Sequence, residues 1–250
     1  MNPELAYNLA FTIASALLYL YVGTRLGQRK LEDRTEQSVW NSLRAVWFAQ
    51  GGRLLISSFS TLLAFLGVLN LYVHVGLGLV VLLALVVTLW GLLTYLVFLY
   101  TGRQRYLRPI LLFYALFFFY LLVTTLIRQP QSVELDGAGA SIRYANEAGA
   151  GFGLIFLGLL ILPQLIASLF LLRLVFRLPE RTQKYRALLV AATIFVWFGS
   201  AMLGVVTPIG GQPWWSTANQ LIGLATAVLI YWAYYPPAIL QKRLRISAIE

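Results

Sequence analysis

Apolar residues in this chain come in long blocks, and most charged residues collect in the segments between them or at their ends. Seven blocks are read: Leu5–Leu26, Trp40–Leu69, Leu71–Tyr100, Pro109–Ile127, Phe152–Phe176, Tyr185–Val206 and Thr217–Tyr235. Crossing a bilayer takes about 20 apolar residues per helix, and each block meets that length. The second and third blocks form almost one run, which at about 1.5 Å per residue is far too long for one span. A turn near Gly67–Asn70 is expected to divide it. The pattern therefore predicts an all-α polytopic membrane protein, a seven-helix bundle over residues 1–237 with a short tail over 238–250.

Inside the blocks, polar residues recur at helical spacing. Asn8, Thr12, Ser15 and Tyr19 share one face of helix 1, and Gln50, Arg53, Ser57, Ser60 and Thr61 share one face of helix 2. Thr193, Trp197, Ser200, Gly204 and Thr207 form a stripe on helix 6. Helix 7 offers Asn219, Gly223 and Thr226, with Gln220 and Tyr231 nearby. Such groups gain nothing from lipid tails, so these faces are expected to point inward. They serve either as interhelical hydrogen-bonding groups or as the lining of a ligand pocket. The pocket reading takes Asn8, Thr12, Tyr19, Gln50, Arg53, Ser57, Trp197, Ser200, Asn219 and Thr226 as candidate ligand-binding residues.

Composition fixes the class. Sixty per cent of the 250 residues are hydrophobic and 11% are charged, too little polar surface for a soluble domain. The absence of cysteine excludes disulfides, Cys-ligated metals and Cys nucleophiles. A single histidine, His74, excludes a bis-His haem within one chain and multi-His zinc sites. His74 falls near the outer end of helix 3, as a hydrogen-bonded interfacial residue or a pH-sensing one. Residues 1–4 carry no basic n-region, so the first block is read as a span rather than a signal peptide.

The net charge of +10 is read as basic loops facing anionic lipid, not as a nucleic-acid surface. Arg25, Arg29, Lys30, Arg34 and Arg44 flank the first loop, and Arg103, Arg105 and Arg108 the third. Arg173, Arg177, Arg181, Lys184 and Arg186 surround the fifth, and Lys242, Arg243 and Arg245 lie in the tail. These are 16 of the 19 basic residues, all on one side; only Arg128 and Arg143 fall on the other. By the positive-inside rule the N-terminus is expected outside and the C-terminus in the cytoplasm, in the plasma (inner) membrane.

Arg53 stands alone within a span, nine residues past Arg44 and so about 13 Å further along the helix. No Asp or Glu lies inside any block, so a carboxylate from the membrane region is not expected opposite it. The open readings are snorkelling to the headgroups, backbone carbonyls beside Gly51-Gly52, or an anion supplied by a ligand, a lipid phosphate or a halide. Among the loops, Gln129–Gly151 is polar, glycine-rich and expected to fold over the outer mouth. Thr207–Thr217 holds Trp214 and Trp215, which suit a headgroup belt or ligand stacking. The tail Ala238–Glu250 mixes Ile239, Leu240, Leu244 and Ile249 with three cations, as in a short helix on the inner leaflet.

Two tripeptides recur. Ile13-Ala14-Ser15 returns as Ile166-Ala167-Ser168, and Val46-Trp47-Phe48 as Val196-Trp197-Phe198. A true repeat pairs helices 1–3 with helices 5–7 and leaves helix 4 as connector. Pro163-Gln164 resembles the PQ pair of the PQ-loop and SWEET carriers, which also have seven helices, an outside N-terminus and a 3+1+3 arrangement. The resemblance covers two residues. Helix 1 has Phe11-Thr12 or Thr12-Ile13 where a matching proline would stand and helix 2 has no proline, so the chain is not assigned to that family.

Several activities lack carriers. The only lysines are Lys30, Lys184 and Lys242, which leaves no Schiff-base lysine in the last helix for retinal. Thr101–Tyr106 does not form an acid–arginine–aromatic motif. Paired intramembrane carboxylates and a Gly-x-Ser-x-Gly segment are both missing, so neither an enzyme nor a proton pump is expected, and no cofactor. The leading expectation is a receptor-like sensor with a small, largely apolar ligand, with or without an anionic group held by Arg53. Its pocket would lie among helices 1, 2, 6 and 7, and it would signal through a separate cytoplasmic or membrane partner. The alternative is a 3+1+3 facilitative transporter, and the third option a structural membrane protein without a small ligand. Pro163 is the only proline well inside a span, which favours the sensor over hinged alternating access.

Overall fold

The computed structural model describes residues 3–28, 34–101, 107–136, 139–146, 155, 157–207, 209 and 212–245. Arg29, Lys30, Arg103, Arg105, Phe152 and Ile249 of the sequence expectations lie outside these residues. The helices are α1 Pro3–Gln28, α2 Arg34–Phe65, α3 Leu71–Thr101 and α4 Leu107–Ile127. Strands β1 Pro130–Leu135 and β2 Ala140–Tyr144 follow. Then come α5 Leu162–Val175, α6 Arg181–Val206, α7 Pro213–Tyr234 and α8 Ala238–Leu244. The chain divides into two compact units, Met1–Gly153 and Leu154–Glu250.

Four described helical segments are long and apolar enough to cross a membrane: Pro3–Gly27, Leu71–Val97, Arg108–Ile127 and Arg181–Gly204. The pair Trp214–Tyr234 and Ala238–Leu244, bent by 55°, makes a fifth where the two are taken together as one broken span. The chain is thus a helical, multi-pass membrane protein. Two of the seven expected spans fall short of that measure for different reasons. The 32-residue α2 is long enough but carries Arg44, Gln50, Arg53 and several hydroxyls. In contrast, α5 is apolar but has only 14 residues.

The block containing α5 is not one regular helix. Leu157–Ile161 winds as a π-helix and passes directly into α5, whose first turn contains Pro163. Proline has no N–H to donate and its ring crowds the carbonyl one turn earlier; the wider winding just before it accommodates both. At the other end of this unit, the expected Thr207–Thr217 loop is shorter than read, because α7 opens at Pro213. Proline's fixed φ suits a first helical turn. Trp214 and Trp215 therefore stand on that turn, edge to face at 5.8 Å.

In the first unit, α2 packs between α1 and α3, and α4 lies along α3. Two glycines permit the close approach. A Cβ on Gly51 would sit 2.9 Å from the Ala16 carbonyl oxygen of α1. One on Gly91 of α3 would sit 2.8 Å from the Ser42 carbonyl oxygen of α2. Trp47 stacks on Tyr19 across the α1–α2 seam, with ring centroids 5.8 Å apart and planes 4° from parallel. Between α2 and α3 the chain reverses over residues 66–70. Gly67 has φ +80°, and the Asn70 side-chain oxygen accepts the N–H groups of Tyr72 at 3.0 Å and Val73 at 3.3 Å. That side chain satisfies two of the otherwise unpaired donors opening α3.

The 129–151 segment contains an antiparallel hairpin, with Val133 opposite Ile142 and Glu134 opposite Ser141. It is tied to the end of α2, where Thr61 Oγ1 accepts the Ala140 N–H at 3.2 Å. In the second unit, α6 packs against both α5 and α7. Of the recurring tripeptides, Ser15 and Ser168 are both buried and both donate to a carbonyl of their own helix. The other match does not share an environment: Val46 is buried, whereas Val196 is 41% exposed.

Candidate functional site

A partly enclosed cavity of about 200 Å³ lies where α2, α3 and β2 meet, near the Leu66–Asn70 turn. Each element contributes a different kind of wall. From α2 come Ser57 and Ser60, which with Arg53 follow i, i+4, i+7 spacing along one face. From α3 come His74, Leu77, Gly78 and Val81; from β2, Ser141, Ile142 and Tyr144. One side is lined by hydroxyls and an imidazole, the other by aliphatic groups.

His74 is 2% exposed, and both of its ring nitrogens are engaged. Nε2 lies 2.9 Å from the Val68 carbonyl oxygen, and Nδ1 lies 2.8 Å from Ser60 Oγ. A carbonyl oxygen only accepts, so Nε2 carries the hydrogen; in the neutral ring Nδ1 then accepts the Ser60 hydroxyl hydrogen. The Ser60 oxygen is left with lone pairs and no hydrogen to offer the cavity. The hydroxyls of Ser57, Ser141 and Tyr144 make no side-chain hydrogen bond among the described residues. The Arg128 guanidinium lies 4.0 Å over the Tyr144 ring and steadies it from outside the cavity.

The residues proposed from sequence fall into distinct settings. Asn8, Thr12, Tyr19 and Gln50 are buried, Arg53 is half-buried and Ser57 is exposed. Arg53 Nε donates to Gln50 Oε1 at 3.1 Å, and Tyr19 lies within its electrostatic reach. Of this set Ser57 alone lines the cavity. Thr12 donates to the Asn8 carbonyl of its own helix at 2.7 Å, as Ser15 does to Phe11. In the second unit, Ser200 donates to the Trp197 carbonyl at 2.8 Å and contacts Asn219 Oδ1 at 3.4 Å. Thr226 is buried and donates to the Gly223 carbonyl at 2.8 Å, while Trp197 is half-buried beside Phe198 and Asn219 is exposed. Thr12 and Thr226 thus bond to their own helices, and Ser200 reaches both its own helix and Asn219.

Sequence reasoning placed Ser60 and His74 correctly on their helices but did not join them, and it missed Gly78, Ser141 and Tyr144. A signal for the first pair exists. Ser60 and His74 lie seven residues on either side of Gly67, as do Ser57 and Leu77 if one counts ten. An antiparallel helical pair turning at Gly67 must bring each pair to one level. The hairpin residues carry no comparable signal, since their place depends on the Thr61–Ala140 contact. No protein-family model and no curated protein matches the chain.

Proposed function

We propose that this chain is a seven-span protein of the plasma membrane, with its N-terminus outside and its C-terminus in the cytoplasm. In this reading it works as a receptor-like sensor for a small, largely apolar ligand. The orientation rests on the distribution of basic residues, and the α2 and α5 spans on their place between the helices that meet the membrane criterion. The hairpin then lies outside, and the cavity opens on that side.

The observation that carries the sensor reading is the cavity itself. A ligand seated there touches α2, α3 and the hairpin at once. The hairpin is hydrogen-bonded to α2 at Thr61, and an occupant spanning all three elements favours the docked hairpin over the released one. Differential affinity of that kind is what a ligand needs to shift a conformational equilibrium. Arg53 lies one turn below Ser57 on the same helix, outside the cavity lining, with its Nε donating to Gln50. The signal would pass to a separate partner protein.

A 3+1+3 carrier is the second reading. It is favoured by the division after Gly153, which separates α1–α3, with α4 and the hairpin, from α5–α7. Purified protein in sealed vesicles distinguishes the two. A sensor binds a cavity ligand without moving it across the bilayer; saturable flux that disappears on filling the cavity establishes the carrier instead.

A further inference from the structure

We propose that the cavity beneath the hairpin takes a neutral, one-ring compound that presents a hydroxyl hydrogen to Ser60. The inference rests on the reading of this cavity as a ligand site and adds the ligand's size, charge and hydrogen-bonding polarity.

Size follows from volume. A cavity of 150 Å³ is known to hold benzene, so about 200 Å³ takes one six-membered ring with a short substituent. Charge follows from the lining, which among the described residues contains no charged side chain. The nearby Arg53 is not part of it, and its Nε donates to Gln50. A carboxylate placed in the cavity would lose water without gaining a cation, which is costly.

Polarity follows from the histidine. The Val68 carbonyl oxygen fixes the neutral imidazole as the Nε2–H form, and that form takes the Ser60 hydrogen. Ser60 therefore meets the ligand as an acceptor, and a ligand hydroxyl completes the chain from ligand to Ser60 to His74 to Val68. Ser57 and Ser141 keep rotatable hydroxyls and adapt to either role. Leu77, Val81 and Ile142 form the apolar wall against which a ring face lies. Gly78 leaves room beside them, since a Cβ there would meet only Ile142 Cδ1, at 3.7 Å.

The test uses full-length protein in nanodiscs and three matched probes: benzyl alcohol, benzyl methyl ether and benzoate. Binding is followed by saturation-transfer NMR with empty nanodiscs as the blank. Benzyl alcohol is expected to bind saturably, and Gly78→Leu, which fills the cavity, to abolish that binding. The ether, which cannot donate, is expected to bind about fivefold weaker, the size of one neutral hydrogen bond. Ser60→Ala is expected to bring alcohol and ether to equal affinity while leaving the cavity open. Equal affinity of alcohol and ether in the unaltered protein overturns the donor inference, and tighter binding of benzoate overturns the neutral one. In both cases Gly78-dependent binding would still uphold the cavity as a site. If no probe shows binding that Gly78→Leu removes, the inference and the cavity reading fall together.

Discussion

Ser60 of α2 and His74 of α3 meet across the helical turn at 2.8 Å, and the opposite nitrogen of the same imidazole holds the Val68 carbonyl of that turn. One buried ring thus closes the α2–α3 hairpin at two points. His74→Ala is expected to destabilise the protein by ~1–3 kcal/mol, because two hydrogen bonds are lost at once. Ser60→Ala removes one of the two bonds and should cost less, with little added by combining both. Denaturant titration in mixed micelles reads these differences; fully additive losses would show that the two residues do not act as one unit.

Adjacent glycines of α2 offer a matched comparison. A Cβ at Gly51 would meet Leu20 at 2.7 Å and the Ala16 carbonyl oxygen at 2.9 Å, whereas one at Gly52 meets nothing within 4 Å. Gly51→Ala should therefore force α1 and α2 apart and lower thermal stability. Gly52→Ala should be neutral or stabilising by up to ~1 kcal/mol, since alanine is the better helix former. The reverse order in a thermal-shift measurement would contradict the packing described for these helices.

The hairpin depends on Thr61. Replacing it with valine keeps the shape and removes the acceptor of the Ala140 N–H. Thr61→Val is expected to cost ~1 kcal/mol of docking and to make the 130–144 segment cleave several-fold faster in limited proteolysis. Unchanged cleavage would mean that the hairpin is held by its other contacts.

Arg53 separates the two ligand chemistries. Its side chain lies against Gln50 and outside the cavity lining, so Arg53→Leu should leave benzyl alcohol binding unchanged within about twofold. Loss of alcohol binding with the fold intact would bring Arg53 into the site and reopen the reading in which it holds an anionic group of the ligand.

Much of the fold is legible from hydropathy because lipid imposes simple rules on length and polarity. The division of the long apolar run shows this well: Gly67 supplies the left-handed backbone and Asn70 caps the helix that follows. The hairpin is not legible in this way, since six residues with two glycines nearby give no alternation strong enough to mark strands. The π-helical turn before Pro163 is hidden for another reason. Proline announces a disturbance but not how the backbone absorbs it. For the site, the α2 stripe is visible in the spacing of Gln50, Arg53, Ser57 and Ser60. Its division into a hydrogen-bonded Gln50–Arg53 pair and a cavity-facing Ser57–Ser60 pair depends on what packs against each turn.

The proposed outward-facing site on a seven-span chain is open to direct measurement, because the sequence contains no cysteine. Ser141→Cys places one thiol on an exposed residue at the cavity rim, and Ile239→Cys places one on α8, where the native side chain is 79% exposed. In intact cells a membrane-impermeant maleimide should label the cysteine at 141 and spare the one at 239 until the membrane is permeabilised. Labelling of both from the same side, or of 141 only after permeabilisation, would contradict the account.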